Sequence, residues 1–166
     1  MNYINTKIDG FKLRKTEVED TSLILELIKE IATYEKMLDE VVATGESIRD
    51  SIFNRKEAEV LIAEFNGETI GYVLYFFNYS TFIGKAGFYL EDIYIKPEYR
   101  GRGIGKEIFR IIANIAYEKG CERMEWSCLN WNTPSIKFYK SLGAVPMSEW
   151  TVYRLTREKI KELASK

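Results

Sequence analysis

The chain has 166 residues, 46% hydrophobic and 30% charged, with a formal net charge of −1 and no histidine. Those values describe one globular domain over residues 1–166 and exclude the basic field of a nucleic-acid binder. Without histidine the Ser-His-Asp and Cys-His arrangements are excluded, as is the commonest metal ligand, so no metal centre is expected.

In chain order, Gly10 to Thr16 reads as a strand. Leu23, Ile24, Leu27, Ile28 and Ile31 follow helical spacing, which predicts a helix to about Lys36. Thr44 can cap a short helix, Glu46 to Phe53. Ala58 to Phe65 and Thr69 to Asn78 are β-rich and joined by Asn66-Gly67, a hairpin signal. A turn at Ile83-Gly84-Lys85 leads into a strand from Ala86 to Ile95, then a helix ending at Gly120. Glu122 to Ser127 reads as a strand, Thr133 to Leu142 as a helix with Thr133 as cap and Pro134 at its first position, and Trp150 to Thr156 as a last strand. The alternation predicts a mixed α/β sheet with helices on its faces.

Cys121 and Cys128 bracket a strand-like run and would stand about 23 Å apart at ~3.3 Å per residue, too far for a disulfide. Both read as small buried apolar residues, and a reducing, cytoplasmic location is expected. The apolar runs are too short to span a bilayer, and Met1 to Asn5 leads into no long apolar stretch, so neither membrane span nor signal peptide is expected.

The segment Arg100-Gly101-Arg102-Gly103-Ile104-Gly105-Lys106 lies between a strand and an amphipathic helix. Glycines let successive N–H groups converge on one anion, and the helix N-terminus adds unpaired N–H groups and a positive dipole end. This predicts a phosphate or pyrophosphate cradle. The P-loop pattern fails, because Gly105-Lys106 is followed by Glu107 and Arg100 stands where its first glycine belongs. The dinucleotide fingerprint fails on the spacing of its third glycine. Farther on, Asn132, Ser135 and Tyr139 fall within roughly 60° of one helical stripe at about 100° per residue, setting an amide, a hydroxyl and a phenol on one face.

Arg-x-x-Gly-x-Gly matches the acetyl-CoA pyrophosphate motif of the GNAT acetyltransferases. With Tyr34-Glu35, Tyr89-Leu90-Glu91-Asp92-Ile93-Tyr94, and Trp131-Asn132 through Phe138-Tyr139-Lys140, nearly the whole chain resembles that superfamily, and within it the diamine (spermidine/spermine) and thialysine branch. The resemblance implies a central mixed, mostly antiparallel twisted sheet, splayed at the acetyl-CoA site and flanked by helices on both faces. It implies that Ile93, Tyr94 and Ile95 offer backbone groups to the pantetheine arm, one N–H polarising the thioester carbonyl. Arg100 to Lys106, including Arg102 and Ile104, would hold the pyrophosphate, and Asn132 and Ser135 would line the cofactor. Tyr139 matches the family's general acid, and Glu91 the acceptor of the amine proton, directly or through water. Tyr34, Glu35, Ser80, Thr81, Phe82, Glu91 and Asp92 would recognise the amine.

Polyamine-acetylating members resemble Asp-Pro-Trp where this chain has Ser80-Thr81-Phe82, and thialysine-type members look like Ser-Thr-Trp there. The missing acid favours a shorter amine or an amino acid side chain. A homodimer is also implied. Two other functions share the cofactor site: acetylation of a protein lysine or N-terminus, and non-catalytic CoA binding, against which Tyr139 and Glu91 argue.

Overall fold

The structure, a computed structural model, describes residues 2–165. The chain divides into two compact units, Met1–Ser127 and Cys128–Lys166. The first carries strands β1 (Tyr3–Asn5), β2 (Phe11–Lys15), β3 (Glu59–Phe65), β4 (Glu68–Ser80), β5 (Lys85–Ile95) and β6 (Met124–Trp126), with helices α1 (Thr21–Tyr34), α2 (Gly45–Ile48) and α3 (Ile104–Glu118). The second carries α4 (Thr133–Ser141) and α5 (Arg157–Ala164).

The six strands form one sheet in chain order. The first five pair antiparallel, and β5 pairs parallel with β6. Asn66 and Gly67, at φ 51 and 85, make the two-residue turn between β3 and β4. One face carries Val60, Ile62, Tyr72 and Tyr94, packed with Ile24 and Leu27 of α1 and Ile48 of α2. The other receives α3, whose Phe109 ring meets Trp126 edge-on at 5.2 Å. α3 ends in a glycine cap: Gly120 has φ 77, its N–H bonds Tyr117 O at 2.9 Å, and Cys121 N–H bonds Ala116 O at 2.9 Å.

Two local features shape the functional end of the sheet. A Cβ on Gly71 would run into the Tyr94 carbonyl, so only glycine lets β4 and β5 approach there. Farther along the pair, Leu74 faces Asp92 while Tyr75 faces Leu90, which leaves Glu91 as the extra residue of a β-bulge. Leu90 and Asp92, two positions apart, therefore land on opposite faces. Leu90 lies beside Tyr75 and Phe88, whereas Asp92 lies on the α1 face beside Tyr72.

Several expectations need correction. Trp150 to Thr156 forms no strand. It is exposed and irregular, and Thr156 instead caps α5, a helix the sequence reading missed. Strand propensity reflects fit to a neighbouring pleated surface, and the second unit holds no other strand among its described residues. The cap of α4 is Asn132, not Thr133: its Oδ1 accepts from Ser135 N–H at 3.4 Å, with Pro134 one position further in. The cap of α2 is Thr44 as expected, but the helix passes into a π-turn over Arg49–Asn54. Cys121 and Cys128 form no disulfide, as expected, but are half-buried rather than buried.

Candidate active site

The sheet opens along β5. Pairing with β6 covers only Phe88, Tyr89 and Leu90, so among the described strands Asp92 to Ile95 pair with β4 alone. That leaves a row of backbone donors and acceptors which an extended ligand can pair, as an added strand would. Ile93–Ile95, where the resemblance implies a splayed strand, lie in the part of β5 beyond its pairing with β6.

On the α1 face the bulge gathers carboxylates. Glu35 follows the last residue of α1 and is half-buried, as is Asp92. Asp92 Oδ2 accepts from the Tyr72 hydroxyl at 2.8 Å. Burial pushes the Asp92 carboxyl above its ordinary pKa, opposed by the Tyr72 bond. Burial, and then the charge of Asp92, also raises Glu35. Among the described residues no Lys or Arg pairs with either carboxylate, and Glu35's makes no hydrogen bond. Burying two like charges without a counter-ion is costly, so the arrangement is suited to a cation arriving from outside. Glu91 itself, as the bulged residue, is exposed.

Arg100 closes this corner. Its Nε donates to Ile95 O at 2.8 Å, and its guanidinium lies 4.5 Å from the centre of the Tyr34 ring and 5.9 Å from that of Tyr94. The first residue of the glycine motif is thereby tied to the end of β5 and of α1. Tyr34 is the stacking platform of this arginine.

Beyond it, Gly101 and Gly103 adopt φ 75 and 79, Gly103 capping α3. The first-turn N–H groups of Ile104, Gly105 and Lys106 have no intrahelical acceptor. A Cβ on Gly101 would meet nothing, so the loop faces open space, and this cradle fits a pyrophosphate. Arg102 is exposed, its guanidinium near the Phe65 and Tyr99 rings at 5.8 and 5.4 Å. Glu107, by contrast, is buried: Arg110 holds it below the ordinary carboxylate range, and it accepts from Lys7 N–H at 2.7 Å. It fastens α3 to the turn after β1.

In the second unit, Asn132 caps α4 while Ser135 and Tyr139 lie half-buried along the helix, Tyr139 with its ring 5.6 Å from that of Phe138. Ser80, Thr81 and Phe82 sit elsewhere, at the tip of the β4–β5 hairpin. Ser80 is opposite Lys85, six positions from Glu91, or roughly 20 Å at ~3.3 Å per residue. Ser80 is buried and its carbonyl accepts from Gly84 N–H at 2.7 Å, whereas Phe82 is 98% exposed. Within one chain these three residues do not meet Glu35, Glu91 and Asp92. Sequence reasoning missed Tyr72, whose place in an apolar run reads as core.

No helix among the described residues is long and apolar enough to cross a membrane. A model of the Acetyltransferase (GNAT) family matches residues 24–144. A thialysine N-epsilon-acetyltransferase of Bos taurus is 40% identical over 166 residues, covering 93% of this chain and 97% of that protein. The spermidine/spermine N(1)-acetyltransferase-like protein 1 of Homo sapiens is 36% identical over 170 residues, covering 96% of this chain and 24% of that protein. An integron cassette protein from the mobile metagenome of V. cholerae superposes with a TM-score of 0.78 at 21% identity, covering 95% of this chain and 99% of that one.

Proposed function

This chain belongs to the Acetyltransferase (GNAT) family and is an N-acetyltransferase, and from that premise we propose that it acetylates the primary amine of a small cationic substrate. The acceptor is a thialysine-like amino acid in preference to a long polyamine. The observation that carries the proposal is the pair of half-buried carboxylates, Glu35 and Asp92, beside the open part of β5 and without a counter-cation among the described residues.

GNAT acetyltransferases use acetyl-CoA, which supplies an acetyl group already activated as a thioester, so no covalent enzyme intermediate is required. In this reading the backbone of Ile93, Tyr94 and Ile95 holds the pantetheine arm. The loop from Gly101 to Lys106 holds the pyrophosphate, and the family resemblance assigns Asn132 and Ser135 to the cofactor as well. The amine is the difficult partner. With a pKa near 10.4, about one molecule in a thousand is neutral at pH 7.4, a deficit of roughly 4 kcal/mol. Glu35 and Asp92 attract the ammonium, and Glu91 accepts its proton, directly or through water. The freed amine then attacks directly within the ternary complex, and Tyr139 donates its phenolic proton to the departing sulfur.

A homodimer belongs to the same reading. The hairpin tip carries exposed Tyr79, Phe82 and Ile83, and its Ser80–Phe82 segment, about 20 Å from Glu91 at ~3.3 Å per residue, would serve the site of a second copy. The experiment is release of free CoA thiol by purified protein across a panel of small amines, amino acids and peptides. Release with small cationic amines is expected. CoA binding with no turnover on any amine would favour a binding domain, and turnover on peptides alone a protein acetyltransferase.

A further inference from the structure

Tyr72 is fully buried, packed among Ile24, Leu27, Val60, Ile62 and Tyr94, where a phenylalanine would serve the packing equally well. Its hydroxyl nevertheless reaches out of that cluster and donates to Asp92 Oδ2 at 2.8 Å, the one side-chain hydrogen bond that Asp92 makes among the described residues. Burial first, then the charge of Asp92, drives the Tyr72 pKa far above its ordinary value, so the phenol stays protonated and acts only as donor. The charged and titratable groups around this pair are Tyr34 and Tyr94, packed with the same cluster, and the carboxylates Glu35 at the end of α1, Glu91 next along β5, and Asp92 itself. A carboxylate with one oxygen fastened from beneath keeps the other in a fixed direction.

We propose that Tyr72 is a positioning residue for the acetyl acceptor: by holding Asp92 Oδ2 it aims the second oxygen at the incoming ammonium. This rests on the reading of Asp92 as part of the amine site. Tyr72 acts through Asp92 and therefore governs acceptor affinity more than the transfer step. The protein contains its own control. Tyr75 is equally buried, and its hydroxyl donates to Glu59 Oε2 at 2.9 Å, a bond of the same kind on the opposite face of the sheet.

The test compares Tyr72→Phe, Tyr75→Phe and Asp92→Asn in the full chain. Tyr72→Phe is expected to raise the acceptor KM about ten- to hundredfold, with kcat changed less than about threefold and the KM for acetyl-CoA unchanged. Loss of a donor to the charged form disfavours ionisation, so the acidic limb of kcat/KM should move to higher pH by about one unit. Tyr75→Phe should move neither. Carboxyl-carbon NMR titration of Asp92, assigned with Asp92→Asn, reads the same shift without turnover and should show Asp92 titrating at higher pH in Tyr72→Phe. Asp92→Asn with wild-type kinetics would remove Asp92 from the amine site and with it the basis of the proposal. An impaired Asp92→Asn beside a Tyr72→Phe with unchanged KM and titration would overturn the role of Tyr72 alone. Matching KM and pH changes in Tyr72→Phe and Tyr75→Phe would reduce both tyrosines to packing.

Discussion

The two halves of β5 differ in almost everything except being one strand. From Lys85 to Leu90 it is bonded to β4 and, at its end, to β6. There Phe88 and Leu90 are buried, and Phe88 stacks on Tyr75 at 4.6 Å. From Glu91 to Ile95 the β6 partner is gone, two carboxylates appear, and the glycine loop follows. The change occurs at one extra residue. Glu91 breaks the pairing rhythm, and every side chain after it changes face. The first half packs Phe88 and Leu90 on one face, and the second half keeps Tyr94 in the core on the other while carrying Glu91 and Asp92.

That division implies separable effects, and the largest should be on rate. Glu91→Gln is expected to lower kcat/KM by about 10²–10⁴-fold, the usual contribution of a proton acceptor, while the unfolding midpoint stays put because the side chain is exposed. Steady-state kinetics beside a thermal melt would decide it, and a variant with normal turnover would break the comparison at its centre. Next, Phe88→Ala in the paired half should cost about 3–5 kcal/mol of stability through the cavity it leaves. Denaturant unfolding measures this, and equal losses from Phe88→Ala and Glu91→Gln would erase the distinction between the halves.

Substrate choice should show a smaller effect. In the proposed reading, Ser80 stands where polyamine-acetylating members resemble an acid, which would leave one charge-assisted bond to a distal ammonium unmade. A thialysine-like amino acid should then exceed spermine in kcat/KM by about ten- to a hundredfold. A preference for spermine would show that another carboxylate holds the far end.

The smallest effect concerns stability and pH. Asp92 has a raised pKa in the fold, so the native state binds its proton more tightly than the unfolded chain does. Burying its charge therefore costs stability as pH rises through the native pKa, and the cost vanishes below the unfolded value. Asp92→Asn should be more stable than wild type by about 0.5–2 kcal/mol at pH 7 and no more stable at pH 3, as happens when a functional group is removed. A pH series of unfolding midpoints tests the sign.

Features encoded locally were the ones readable in the sequence. Asn66-Gly67 specified its hairpin, Gly120 ended α3, and the glycines after β5 made the turn into α3, because positive φ is a property of those residues themselves. The bulge could not be read, because Glu91 is extra only relative to β4, and nothing in its neighbours announces that register. The bond between Tyr72 and Asp92 depends on the same register. Glu35 and Asp92 were both expected to recognise the amine, yet only the fold brings α1 and β5 close enough for one carboxylate to perturb the other. The expected strand at Trp150–Thr156 failed for the opposite reason: its residues suit a sheet, but a strand requires a neighbour that sequence cannot supply.

The chain-order arrangement of the sheet has a kinetic consequence. Each of β1 to β5 pairs with the strand adjacent in sequence, although α1 and α2 intervene between β2 and β3. The β5–β6 pairing instead must wait for α3 to be made and laid across the sheet, with only three residue pairs to reward closure of that loop. The β3–β4 and β4–β5 hairpins close the shortest loops, whereas β2–β3 and β5–β6 each span intervening helices, so the two hairpins are expected to assemble before the strand that bounds the opening beside β5.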